Sequence, residues 1–361
     1  MNNLKKLGLT ALAGSLVAVS AQAGEMSVSG HATATLKVGK TDNAARTLGH
    51  NTGVSFSGSG EMDNGWTFST FAAMKDAMAT LSSSAMTLTM GSLGTIGVSK
   101  GGGFNVNGGF DEEVPTAYEQ ISDAGGDAGF GTSANYVGAF ADDNALIYKF
   151  PTLEFSGATV DIGYEHAMTG DTTTQSDGGS VAQSGTFEGG HGLGVKVGYD
   201  ALTLGVYGAE RERRNSAGTT GVKDEFHGSW FAKYSMGPVS VGYSQSYVDA
   251  GVQVASDYTT DAAKVLGTNG GIWEMDQISI AFNVNDDLSI SYTEGEDTYD
   301  AQATIAGTTT ADVTQDMDSI QIAYSMGAMS IKAYSTEITN PGYDEDAATR
   351  NVHEIAIGLA F

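Results

Sequence analysis

The residue types that could do chemistry in this 361-residue chain are six histidines, 43 Asp and Glu, and no cysteine. His31, His50, His166, His191, His227 and His353 are scattered, with no HExxH and no close pair, so their spacing predicts isolated polar residues and no metal centre. The string from Gly129 to Ala134 (GFGTSA) matches a dinucleotide fingerprint, yet it lies in an acidic stretch with no strand-to-helix unit around it. No GxxxxGK[ST] occurs; spacing alone leaves a Ser-His hydrolase open as an alternative. Asp344-Glu345-Asp346 and Asp142-Asp143 could offer oxygens to Ca²⁺ on a loop, but EF-hand spacing is absent, and solvated surface charge is the preferred reading. No other cofactor is expected.

The acids concentrate where no regular element is visible. Residues 101–143 hold Asp111, Glu112, Glu113, Glu119, Asp123, Asp127, Asp142 and Asp143, with no Lys or Arg. Ordered connections beyond about 12 to 15 residues are usually functional. This one carries Phe104, Phe110, Tyr118, Ile121, Phe130 and Tyr136, enough apolar side chains to pack against a wall.

What must position such a loop is read from the rest of the chain. Residues 1–23 have a basic start (Lys5, Lys6), an uncharged apolar run and Ala21-Gln22-Ala23, the pattern of a secretory signal peptide. The expected mature chain, residues 24–361, keeps 15 basic against 43 acidic residues, a formal charge of −28. Nucleic acid is excluded as a partner because phosphate binding needs clustered cations. Without cysteine, no disulfide holds the exported fold together.

From Met26 to Val38 apolar and polar residues alternate, the signature of a strand with one face on water and one on an apolar medium. The same alternation recurs at residues 54–62, 66–75, 86–90, 95–100, 145–150, 158–166, 192–199, 202–211, 226–234, 239–247, 275–282, 288–294, 318–324, 329–337 and 352–361, sixteen strands in all. Short Gly, Asn and Asp turns alternate with long acidic loops, which is the layout of an antiparallel transmembrane barrel.

Charge parity separates this from a soluble sandwich. Lys37, Lys75, Lys149, Lys196, Arg211, Arg213, Lys233 and Lys332 all share the parity of Ser, Thr and Gly; Lys100 has the apolar parity but stands at a strand end. A Lys or Arg on the lipid face costs about 2 to 4 kcal/mol at the bilayer midplane, and that penalty selects this pattern. Phe150, Tyr199, Tyr234, Phe282, Tyr324 and Phe361 end descending strands on the apolar parity, at the depth of an interfacial girdle.

The mature chain thereby resembles the general diffusion porins of Gram-negative outer membranes: sixteen strands, a third loop that is the longest, and a last strand Ile355-Ala-Ile-Gly-Leu-Ala-Phe361 with a terminal Phe. The resemblance implies a non-enzymatic, water-filled channel for passive diffusion of small hydrophilic solutes and ions. It implies membrane lipid as surroundings, three associated barrels, and Phe361 as part of a signal read by the barrel-assembly machinery. In that family the third loop enters the lumen and its acids face a basic wall. Asp111, Glu112, Glu113 and Glu119 are the expected constriction acids, with Lys37, Lys75, Lys149, Lys196, Arg211 and Lys332 as the wall. The family's Pro-Glu-Phe-Gly-Gly loop motif is absent, and residues 108–115 (GGFDEEVP) stand in its place. The acid excess predicts a weak cation preference; a solute-selective channel and an outer-membrane barrel enzyme are the alternatives.

Overall fold

The computed structural model describes residues 24–40, 46–75, 80–124, 137–142, 145–168, 187–213, 223–251, 270–300, 304–305, 308–309 and 312–361. The expected signal peptide, and Asp127, Phe130, Tyr136 and Asp143 of the long loop, lie outside the described residues.

The strands are β1 (Met26–Lys40), β2 (Arg46–Glu61), β3 (Thr67–Lys75), β4 (Thr80–Thr89), β5 (Thr95–Lys100), and β6 in two pieces (Ala145–Lys149 and Leu153–Phe155). Next come β7 (Ala158–Ala167), β8 (Phe187–Tyr199), β9 (Leu202–Arg213), β10 (Glu225–Met236) and β11 (Val239–Asp249). The last are β12 (Ile272–Asn283), β13 (Leu288–Asp300), β14 (Val313–Met326), β15 (Met329–Thr339) and β16 (Arg350–Ala360). Every neighbouring pair is antiparallel, and both pieces of β6 pair with β7. Between those pieces lies Pro151, which has no N–H to give to a ladder.

Closure comes from β1, which pairs with β2 on one side and β16 on the other, from His31 opposite Ala360 to Lys40 opposite Asn351. The terminal residue extends this seam: Gly30 N donates to Phe361 O at 2.6 Å and Phe361 N to Gly30 O at 2.9 Å. The result is a closed sixteen-stranded barrel with no free edge, the one sheet arrangement that satisfies every backbone group in lipid.

Side-chain parity divides the two faces as the charges require. Val206, Ile278, Ile280, Ile320 and Ile357 are exposed on the outside, as are all six girdle aromatics. The matching turns Met236-Gly237-Pro238-Val239 and Met326-Gly327-Ala328-Met329 each place glycine in the left-handed region, at φ 59° and 60°, the conformation that lets two strands reverse tightly.

Strands are longer at the loop end than the alternation suggests. β2 starts at Arg46, not residue 54, and β4 at Thr80, not residue 86. β8 starts at Phe187, β12 at Ile272, and β13 runs on to Asp300. Above the lipid both faces meet water, so hydrophobic alternation fades while the hydrogen-bond ladder continues, as in the register from Met275 opposite Asp297 to Ile272 opposite Asp300.

Candidate functional site

The long segment after β5 lies against inward-parity side chains of the wall from β7 round to β16, pegged at each step. Glu165 on β7 accepts from Val106 N at 2.8 Å, from Asn107 N at 3.4 Å and from the Tyr207 hydroxyl at 2.5 Å. Phe110 inserts between Tyr207 and Phe231, with ring centroids 5.6 and 6.0 Å away. It lies over Gly194, where a Cβ would stand 2.3 Å from its ring. Farther on, the Ser279 hydroxyl donates to Pro115 O at 2.6 Å and Ala117 N donates to Ser291 Oγ at 2.9 Å. Gln321 accepts from Tyr118 N and Glu119 N and donates to Glu119 O. A short helix α1 (Ile121–Ala124) follows, with Ile121 and Ala124 buried. On the return, Gly138 N donates to His227 Nδ1 at 2.8 Å, and Asn105 Nδ2 donates to Asp142 Oδ1 at 2.9 Å.

At the α1 end a polar cluster gathers. Tyr118 donates its hydroxyl to Glu354 Oε1 at 2.8 Å, and Tyr334 donates to the other oxygen at 3.3 Å. Lys37 Nζ is 3.7 Å from Glu354, and Lys332 Nζ lies 5.0 Å above the Tyr118 ring. Burial pushes the Glu119 and Asp123 carboxyls up, with Lys332 opposing the shift at Glu119 and Lys37 opposing it at Asp123. Loop acids and wall lysines therefore sense one another across this part of the lumen.

Among known proteins, a family model describing the Gram-negative porin matches residues 8–361. The chain belongs to the Gram-negative porin family. No curated protein matches the sequence significantly. Among solved structures, the porin resembles Salmonella typhi OmpF in complex with daunomycin (12% identity, 94% of this chain and 98% of that one covered, TM-score 0.62). The anion-selective porin from Comamonas acidovorans is similar at 13% identity, covering 93% and 99%, with a TM-score of 0.59. A porin refined at 1.8 Å matches at 15% identity, covering 93% and 100%, with a TM-score of 0.58. At these identities the likeness speaks for the fold alone. The family assignment makes the protein a non-enzymatic barrel channel of the Gram-negative outer membrane.

The expected constriction acids of the porin separate into different roles. Glu112 does not face water: it is 3% exposed, with φ of 43°. It accepts from the Ser122 hydroxyl at 2.5 Å and from Gln277 Nε2 at 2.8 Å, folding the loop onto itself and onto β12. Burial pushes its carboxyl up to about 7. Asp111 is raised by burial and by its acidic neighbours Glu112, Asp142 and Asp123, and its Oδ1 has no partner among the described residues. Glu113 is ion-paired with Lys233. Glu119 is the one of the four placed beside the α1 cluster.

Nor do the basic residues form a single wall. Lys37 and Lys332 belong to the α1 cluster. Lys149 and Lys196 lie near the root of the loop. Arg211 is held above the Phe187 ring at 3.4 Å and bonded to Glu225 at 2.8 Å, with Arg213 on the same carboxylate at 3.8 Å. Lys75 is exposed at the end of β3. Sequence reasoning missed Glu165, His227, Gln277, Gln321 and Glu354 as loop anchors. Their signal was a charged or amide side chain on the inward parity of a strand. Among the described residues no group of three or more His, Asp or Glu is arranged to hold a metal ion. Asp344 Oδ1 instead accepts from Asp346 N at 3.0 Å within its own turn.

Proposed function

We propose that the porin passes small hydrophilic solutes and ions down their gradients, with a weak cation preference set beside α1. Supporting this is the count of charges there: Glu119, Asp123 and Glu354 stand against Lys37 and Lys332. The acid excess of the chain adds to it. Screening over about 8 Å at physiological salt limits the bias. About 0.5 to 1 kcal/mol corresponds to a several-fold preference at about 1.4 kcal/mol per decade.

Residues 1–23 direct export and are removed, leaving residues 24–361 as the barrel. Phe361, which closes the seam with β1, is what the assembly machinery reads. Three copies associate, and the small outward side chains Ala32 and Ala34 of β1 favour that close approach. The test of selectivity is the zero-current potential in a KCl gradient. A cation-signed potential that moves toward anions in Glu119→Gln/Asp123→Asn, with a smaller shift at high salt, supports the reading. Chloride preference in the wild type contradicts it.

A further inference from the structure

Where the root of the inserted loop meets β6, β7 and β8, a 480 Å³ cavity remains whose polarity differs from that of the α1 cluster. Lys149 and Lys196 line it, together with Val106, Phe110, Thr152 and Asp161. Lys149 is exposed and Lys196 half-buried, and neither makes an ion pair with a carboxylate among the described residues. Aromatic faces hold them instead. Lys149 Nζ lies 4.5 Å from the Phe104 centroid, and Lys196 Nζ lies 5.2 Å from Phe110 and 5.7 Å from Phe231. Cation–π contact positions an ammonium without neutralising it. The neighbouring Lys233 differs, being tied to Glu113. Gly109 leaves room for this arrangement, since a Cβ there would stand 2.8 Å from Lys196 Nζ.

Asp161 limits what the cavity accepts. It faces Lys196 across the β7–β8 ladder, and the Thr152 hydroxyl donates to its Oδ1 at 2.5 Å. Among the side chains that line the cavity, two ammonium groups stand against one fixed carboxylate; Glu165, whose charge also reaches Lys149, lies outside the lining, with both oxygens taken up by Val106 N, Asn107 N and the Tyr207 hydroxyl. Val106 and Phe110 add an apolar floor.

We propose that this cavity is a subsite for small monocarboxylates with a short apolar body, the carboxylate received by Lys149 and Lys196 and the body by Val106 and Phe110. The subsite rests on the channel reading and adds a solute class to it. Lysines without carboxylate partners offer charge-assisted hydrogen bonds that an uncharged solute cannot use. Asp161 repels a second carboxylate. A solute that binds weakly inside a pore crosses at a rate that saturates with its concentration.

The experiment is conductance of the purified full chain in planar bilayers, measured against rising KCl, potassium butyrate, potassium phosphate and potassium succinate. Saturation is expected in butyrate at concentrations where KCl still rises nearly linearly. In Lys149→Gln/Lys196→Gln the half-saturating concentration of butyrate rises by about tenfold or more. Lys149→Arg/Lys196→Arg retains saturation, and heat-modifiable mobility on gels shows that each variant has folded. Linear conductance in butyrate, unchanged saturation in the glutamine variant, or equal saturation by phosphate or succinate overturns the monocarboxylate subsite. A chain that fails to conduct KCl defeats the channel reading itself, whereas KCl conduction without butyrate saturation overturns the subsite alone.

Discussion

Replacing Gly194 with valine attacks the seat of the inserted loop from the barrel side. A Cβ at this position would lie 2.3 Å from Phe110 Cε2, 2.6 Å from Cζ and 2.8 Å from Val106 Cγ1. All three are well inside van der Waals contact, and the two valine methyls crowd the site further. Phe110 is only 5% exposed, and a free ring position is not at hand between Tyr207 and Phe231. Overpacking costs typically about 1 to 3 kcal/mol, and unseating a buried Phe forfeits about 1.5 to 3 kcal/mol. A central figure of about 2 kcal/mol multiplies the ratio of displaced to seated loop root by about 30. Single-channel recording is the assay, with added substates and open-channel noise as the expected signs of a loop that no longer stays on the wall. Gly208→Val is the control, because a Cβ there meets nothing within 4 Å. If Gly194→Val folds and its records match the wild type in conductance and noise, the loop root is not seated on β8 as described.

Further tests address separate links. Val206→Arg, at an outward position 56% exposed, should lower assembled barrel in a membrane-insertion assay, with about 2 to 4 kcal/mol opposing insertion if it lies at midplane depth; normal yield would contradict the face assignment. Deleting Phe361 removes both of its hydrogen bonds with Gly30, so assembled barrel on unheated gels should fall, and unchanged yield would show that the seam closes without it. Glu112 has its carboxyl raised from 4.5 to about 7 when the loop is seated, so the seated state binds the extra proton between those values. Its contribution to seating is full below about pH 4.5 and is lost as pH rises through about 7, roughly 3 kcal/mol in total. Open-channel noise should therefore grow from pH 5 to pH 8 in the wild type and lose that dependence in Glu112→Gln; equal dependence in both would assign the titration to other groups.

Much of the barrel was legible because a β-strand in lipid has a period of two. The inward parity of Lys37, Lys149, Lys196 and Lys332 follows from the cost of charge in lipid, and these lysines lie beside residues of the long loop or of the inward wall; the six girdle aromatics are exposed. The start of β2 was not legible, since Arg46, His50 and Thr52 share the outward parity of Leu48 and Val54 and interrupt the apolar alternation, while the ladder from Arg46 opposite Val38 to Gly53 opposite His31 runs on unbroken. The loop was legible only as a loop. Its acids have no periodicity to sort them, and what buries Glu112 is Gln277, 165 positions away in sequence. Likewise Gln321 holds Glu119 from 202 positions away, and Glu165 holds Val106 from 59. Parity shows that such a side chain points inward, but its partner depends on how far the loop descends along the wall.

Liposome swelling in isosmotic solutions of uncharged sugars of increasing mass shows whether the barrel encloses a water-filled path narrowed where the long loop lies against its wall. Purified protein should give swelling rates that fall smoothly with solute size and do not saturate with concentration. Absence of swelling even for the smallest sugar, in liposomes shown to contain folded barrel, would contradict such a path.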